Sequence, residues 1–200
     1  MWRYAGLETY DINNGLGVGV TLFVQGCPRH CLGCHNPQTW DYSGGMEYTR
    51  EVDKRLFDTL ADPNIVRLTI SGGEPISPMN LDFVVYVAER FKLYHPQKKL
   101  WIYTGQTYES IIKEADDYRY YHLLSLCDIL VDGAFEIEKR CLSLPFRGSR
   151  NQRIIDMWGT SLGGGVVEYD LVYKSVKKVL TRSHERAIID ADREGAVEIV

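Results

Sequence analysis

The sequence predicts an α/β fold built on a parallel sheet. Short, apolar, β-rich runs alternate with stretches of ten or more residues of helical periodicity, the pattern of right-handed βαβ units. Each strand-like run also stops at a polar, glycine-containing segment: Gly26-Cys27-Pro28, Ser71-Gly72-Gly73, Thr104-Gly105 and Asp132-Gly133. Parallel α/β folds gather their chemistry at the carboxyl ends of the strands, so these four segments are expected on one rim.

The chain opens with an expected β-hairpin, residues 2–9 and 17–24, about a turn at Asn13-Asn14-Gly15. Val18, Val20, Leu22 and Val24 alternate as in a strand with one buried face. A long polar loop carrying three cysteines runs to Gly44-Gly45. Residues 47–60 place Val52, Leu56, Phe57 and Leu60 on one helical stripe, broken by Asp62-Pro63-Asn64. A strand over 65–70 precedes a second helix that Asn80 or Asp82 would cap and that runs to about Tyr94. Strands over 100–103 and 128–131 flank a helical stretch at 108–126, and 153–156 is a fifth core strand. Gly163-Gly164-Gly165 reads as a flexible linker, followed by a helix near 168–180. We therefore expect a main domain over 1–159 and a C-terminal extension, helical in part and in part flexible, over 160–200.

With 44% hydrophobic and 25% charged residues, the 200-residue chain has an ordinary globular composition and can bury a substantial core. A net charge of −4 argues against nucleic acid as a partner. No apolar run is long enough to span a bilayer, and the N-terminus lacks the apolar stretch of a secretory signal. The expected location is the cytoplasm. Five cysteines in a reducing compartment point to metal or redox chemistry rather than disulfides.

Cys27, Cys31 and Cys34 lie within eight residues with spacing C-x3-C-x2-C. Three thiolates in so short a loop wrap one small cluster, and three ligands on a four-iron cluster leave one iron open to an exogenous ligand. A structural zinc site normally closes with four protein ligands. His30 or His35 as the fourth ligand would make this a Cys3His zinc site, and a zinc-binding interaction module is the alternative of a different class. Cys127 and Cys141 are isolated and read as small buried hydrophobes.

The segment Thr21-Leu-Phe-Val-Gln-Gly-Cys27-Pro-Arg-His-Cys31-Leu-Gly-Cys34-His-Asn-Pro-Gln-Thr-Trp40 resembles the radical S-adenosylmethionine (SAM) superfamily. More narrowly, it is similar to the activating proteins of anaerobic ribonucleoside-triphosphate reductases. The likeness continues through Ser71-Gly-Gly-Glu-Pro75, Trp101-Ile-Tyr-Thr-Gly105, Asp128-Ile-Leu-Val-Asp-Gly133 and Phe146-Arg-Gly-Ser-Arg-Asn-Gln-Arg153. It covers roughly the first 160 residues. Gly33 stands where most of the superfamily has an aromatic residue, a departure the reductase activators share. The tail after Gly159 is longer than in the compact members.

The resemblance implies a partial (β/α) barrel with an N-terminal β-hairpin. It implies a [4Fe–4S] cluster on Cys27, Cys31 and Cys34 and SAM as cofactor. The backbone of Gly72-Gly73 and the side chain of Glu74 would hold the amino end of SAM. Gly33, Cys34 and His35 would border the adenine, and Thr104 and Gly105 would meet the ribose or methionyl part. Asp132, Arg147 and Arg153 are candidate contacts to SAM or to the substrate peptide. No residue is expected as an acid–base catalyst, because the cofactors carry the chemistry. A reduced cluster would split SAM into methionine and a 5′-deoxyadenosyl radical, which takes hydrogen from a glycine of the class III reductase. The implied partners are that reductase and a low-potential electron donor such as flavodoxin or ferredoxin. A different glycyl-radical target, of the pyruvate formate-lyase type, is the alternative within enzymes.

Overall fold

The computed structural model describes residues 1–113 and 117–171. One compact unit spans Met1–Glu168, and it contains the sheet and the cleft described below. Among the described residues the strands are β1 (Arg3–Asp11), β2 (Gly19–Val24), β3 (Met46–Glu47), β4 (Arg67–Gly72), β5 (Lys99–Tyr103), β6 (Ile129–Asp132) and β7 (Arg153–Asp156). The helices are α1 (Arg50–Leu60), α2 (Pro78–Tyr94), α3 (Tyr108–Lys113), α4 (Tyr118–Leu126) and α5 (Met157–Gly163).

All seven strands join one sheet in the order β3-β1-β2-β4-β5-β6-β7. β1 and β2 form the expected antiparallel hairpin, and β2, β4, β5 and β6 run parallel. β7 runs antiparallel to β6, pairing Leu130 with Ile155. The segment 133–152 between them holds a short 3-10 turn, Ile137–Lys139, and an antiparallel bridge between Arg140 and Ser149, but not the α-helix that carries a chain back to a parallel start.

Val20, Leu22, Val24, Leu68, Ile70, Leu100, Ile102, Leu130 and Ile155 share one buried cluster with residues from all five helices. These include Leu56 and Leu60 of α1, Phe83 and Phe91 of α2, Ile111 of α3, Leu123 of α4 and Met157 of α5. The helices thus cover one face. The intervening strand residues Thr21, Arg67, Thr69 and Trp101 are buried as well. Arg67 there pairs with Asp11 at 2.9 Å, Thr21 Oγ1 donates to Asp11 at 2.6 Å, and Thr69 Oγ1 donates to the Asn14 carbonyl at 2.8 Å. This buried pair pins the β1–β2 turn across the second face.

Sequence and structure differ at several element ends. Residues 46–47 pair with β1 instead of entering the helix, and Thr49 caps α1 by accepting from the Val52 N–H. α2 starts at Pro78, whose missing N–H costs nothing at a first helical position. Asn80, expected as its cap, instead donates to the Gly26 and Glu74 carbonyls at 3.2 and 3.0 Å. The helical stretch at 108–126 is divided into α3 and α4, the latter capped by Asp117. Gly163 ends α5 and Gly164 takes the left-handed cap conformation, so two of the three expected linker glycines terminate a helix. Most of the proposed extension, including residues 172–180 of the expected helix near 168–180, lies outside the described residues.

Candidate functional site

The four rim segments meet as anticipated. The ends of β2, β4, β5 and β6 open into one cleft of about 780 Å³. Cys27, Cys31, Gly33, Cys34 and His35 line it on one side, with Gly72, Gly73, Glu74, Thr104 and Gly105 alongside. Arg147 completes the set that lines it, and Asp132 and Arg153 stand apart.

The cysteine loop is tied down at both ends. Gly26 and Cys27 donate backbone N–H bonds to the Thr39 and Trp40 carbonyls at 2.8 and 3.0 Å. Gln25 Nε2 holds the Asp41 carbonyl at 2.7 Å. Inside the loop the Cys27 thiol pKa is raised: burial pushes it up, backbone N–H bonds from Arg29 and His30 pull it part of the way back, and the charges of Glu74 and Cys31 add to the rise. The Asn36 N–H points at Cys34 Sγ at 3.4 Å. These N–H groups are hydrogen-bond donors that the loop offers to its cysteine sulfurs.

His30 stacks on Trp40 with ring centroids 4.7 Å apart. Among the described residues, no three His, Cys, Asp or Glu side chains come together to hold a single metal ion. A Cys3His zinc site therefore has no preformed ligand set. A cluster makes a different demand, since each thiolate binds a different iron and the sulfurs stay apart.

Gly72 and Gly73 were expected to let a ligand approach the backbone. Their close approach is to the neighbouring strand end. A Cβ on Gly72 would lie 2.7 Å from Val24 backbone atoms, and one on Gly73 would lie 2.2 Å from the Gly26 oxygen. The Glu74 N–H donates to that same Gly26 oxygen at 2.8 Å. The Gly-Gly-Glu turn is thereby locked to the base of the cysteine loop.

Glu74 is only 2% exposed, and its carboxylate is fully occupied. Oε1 accepts from Thr104 Oγ1 at 2.7 Å and from the Ile76 N–H at 3.3 Å. Oε2 accepts from the Gly105 N–H at 2.9 Å and from Arg29 Nε at 3.0 Å. Four donors fill the acceptor sites of one carboxylate, which suits Glu74 to organising the rim rather than to receiving a ligand amine.

Asp132 is fully buried and binds Arg153, whose Nε donates at 3.0 Å, and the Tyr108 N–H at 2.8 Å. Arg153 also pairs with Glu109 at 2.7 Å, and its hydrogen bonds hold the Glu109 carboxyl at about 2. Together they tie β6, β7 and α3 to one another. Arg147 donates to the Gln152 carbonyl at 3.2 Å, while its Nε, like Trp40 Nε1, is a buried donor without a hydrogen-bond partner among the described residues.

Arg29, Asn13, Trp40, Phe135, Ile137 and Arg140 also line the cleft, and sequence reasoning missed them. Arg29 alone had a signal, its position between two of the cysteines. Of the remaining cysteines, Cys127 is buried with its thiol on the Ile129 carbonyl at 3.1 Å, as expected. Cys141 is half-buried near Ser143, not a core residue.

A sheet with helices on one face, a triple-cysteine loop at its rim and an adjoining glycine turn define an iron–sulfur protein with a cofactor cleft. Residues 13–155 match the model of the 4Fe-4S single cluster domain. Three similar proteins share the name anaerobic ribonucleoside-triphosphate reductase-activating protein. The one from Vibrio cholerae serotype O1 is 42% identical over 72% of this chain and 91% of its own length. That from Escherichia coli K12 is 33% identical over 71% and 90%. That from Enterobacteria phage T4 is 34% identical over 76% and 92%. The chain belongs to this family of anaerobic ribonucleoside-triphosphate reductase-activating proteins.

Proposed function

We propose that this chain is a radical SAM enzyme that installs a glycyl radical on an anaerobic, class III ribonucleoside-triphosphate reductase. The observation that carries the reading is the convergence of the cysteine loop, the Gly-Gly-Glu turn and Thr104-Gly105 on one cleft, in a chain with the relatives just described. About 780 Å³ lies within the range of small-molecule sites and accommodates a nucleotide-sized ligand.

Cys27, Cys31 and Cys34 would hold a [4Fe–4S] cluster. Bound there and reduced, the cluster would supply the electron for reductive cleavage of SAM, the chemistry needed to remove a hydrogen atom from a glycine Cα of the reductase. The protein's own task is to place and shield these groups. Gly33, Cys34 and His35 border the adenine in this reading, and Gly72 and Gly73 the amino end of SAM. Arg147 Nε, a buried donor with no hydrogen-bond partner among the described residues, suits the SAM carboxylate or a carbonyl of the incoming peptide. Apart from Glu74, the charged lining is cationic, supplied by Arg29, Arg140 and Arg147. Arg29 is taken by Glu74, which leaves Arg140 and Arg147 to offset part of the thiolate charge.

We read the sheet as a partial (β/α) barrel of the radical SAM type. Support comes from the helices, which cover one face as in a barrel wall rather than both as in a doubly wound sheet. The proposed electron donor is a low-potential protein such as flavodoxin or ferredoxin, and the proposed location is the cytoplasm. Among the described residues no helix is long and apolar enough to cross a membrane.

Offering the reduced, SAM-loaded protein an anaerobic reductase and a pyruvate formate-lyase in parallel tests the target. A glycyl-radical EPR doublet is expected on the reductase alone. A doublet only on the lyase would replace the proposed target.

A further inference from the structure

We infer that Arg29 is a positioning residue: its ion pair with Glu74 clamps the cysteine loop to the Gly-Gly-Glu turn and the end of β5, holding cluster and SAM in one relation. The inference rests on Cys27, Cys31 and Cys34 being the cluster ligands. Arg29 lies between the first two of them, and its Nε reaches Glu74 Oε2 at 3.0 Å across 45 residues. The other three donors to that carboxylate are neutral: the Thr104 hydroxyl and the Gly105 and Ile76 N–H groups. Among the described residues Arg29 is thus the one cation on a carboxylate 2% exposed, where an unpaired charge is strongly unfavourable.

The side chain also lies across the end of β5. A Cβ on Gly105 would come within 2.4 Å of Arg29 Cδ, so glycine there leaves room for the arginine. Three loops, following β2, β4 and β5, meet at one ion pair on the wall of the cleft. The pair also decides the local charge. With Arg29 in place, Glu74 is compensated. Without it, a buried negative charge faces the loop that must accept an additional electron.

The test compares wild type, Arg29→Met, Glu74→Gln and the double variant R29M/E74Q. Iron content, SAM affinity by equilibrium dialysis and cluster midpoint potential by EPR-monitored titration are measured on each. Arg29→Met should lower the potential and weaken SAM binding about tenfold, with both partly restored in the double variant, because Glu74→Gln removes the negative charge that Arg29→Met leaves uncompensated. A purely structural role would not restore the potential when the second charge is removed. An Arg29→Met that fails to hold iron while the double variant holds it also supports the clamp. Wild-type potential and affinity in Arg29→Met, no recovery of either in the double variant, or loss of iron in both variants would overturn it. A wild-type protein that takes up no cluster would instead break the underlying ligand assignment.

Discussion

Asp11 illustrates how one side chain links the fold to pH. Burial pushes its carboxyl up, but hydrogen bonds from Thr21, Asn13, Arg67 and Asn14 outweigh this and hold it at about 2. A depressed folded pKa contributes stability that is full above the unfolded value near 4 and is lost as pH falls toward 2. Removing the carboxylate also strands Arg67, which is 0% exposed, and breaking such a buried pair costs about 3–5 kcal/mol. Asp11→Asn should therefore be much less stable than wild type at pH 7. The gap should narrow by roughly 1 kcal/mol between pH 5 and pH 3, read from urea midpoints. A gap independent of pH would rule out Asp11 as the linked group. Gly73 gives a steric counterpart. In Gly73→Ala the new Cβ meets the Gly26 backbone oxygen, which cannot swing aside as a side-chain tip can. The expected loss is about 1–3 kcal/mol of stability, and an unchanged melting temperature would contradict it.

At the scale of elements, local chemistry explains both the successes and the misses. Thr49 sits before α1 with its side chain on the Val52 N–H, and Glu51 and Asp53 follow in the first turn. Thr49→Ala should cost about 1 kcal/mol, checked by chemical denaturation, while Thr49→Ser should retain most of it. Equal stability of all three would show that the cap is idle. The four parallel strands were legible because Val20 and Leu22, Leu68 and Ile70, Leu100 and Ile102, and Ile129 to Val131 lie in apolar stretches of strand length. The direction of β7 was not legible, since Arg153–Asp156 reads alike either way and only the helix-free segment before it decides. Likewise Ser77 precedes α2, a capping residue as favourable as Asn80, and its side chain makes no cap hydrogen bond. Asn80 is drawn away by carbonyls from two other loops, a tertiary demand with no local signature.

The whole molecule brings the ends of β2, β4, β5 and β6 to one cleft, and that gathering followed from topology alone. The cysteine spacing and the Gly-Gly-Glu turn are contiguous motifs, so they were readable. The pairing of Arg29 with Glu74 and of Arg153 with Asp132 joins residues 45 and 21 positions apart. Such partners are chosen by packing, which is why Arg29 was overlooked and Arg153 was assigned to a site it does not line. The central claim is that the three-cysteine loop holds a cluster that cleaves SAM, and one measurement tests it most directly. The protein is purified and reduced without oxygen, incubated with SAM, and assayed for 5′-deoxyadenosine beside a Cys31→Ala control. A brown, iron-loaded wild type that forms 5′-deoxyadenosine, with a control that forms none, is the expected result. A colourless, zinc-loaded wild type that leaves SAM intact would contradict it.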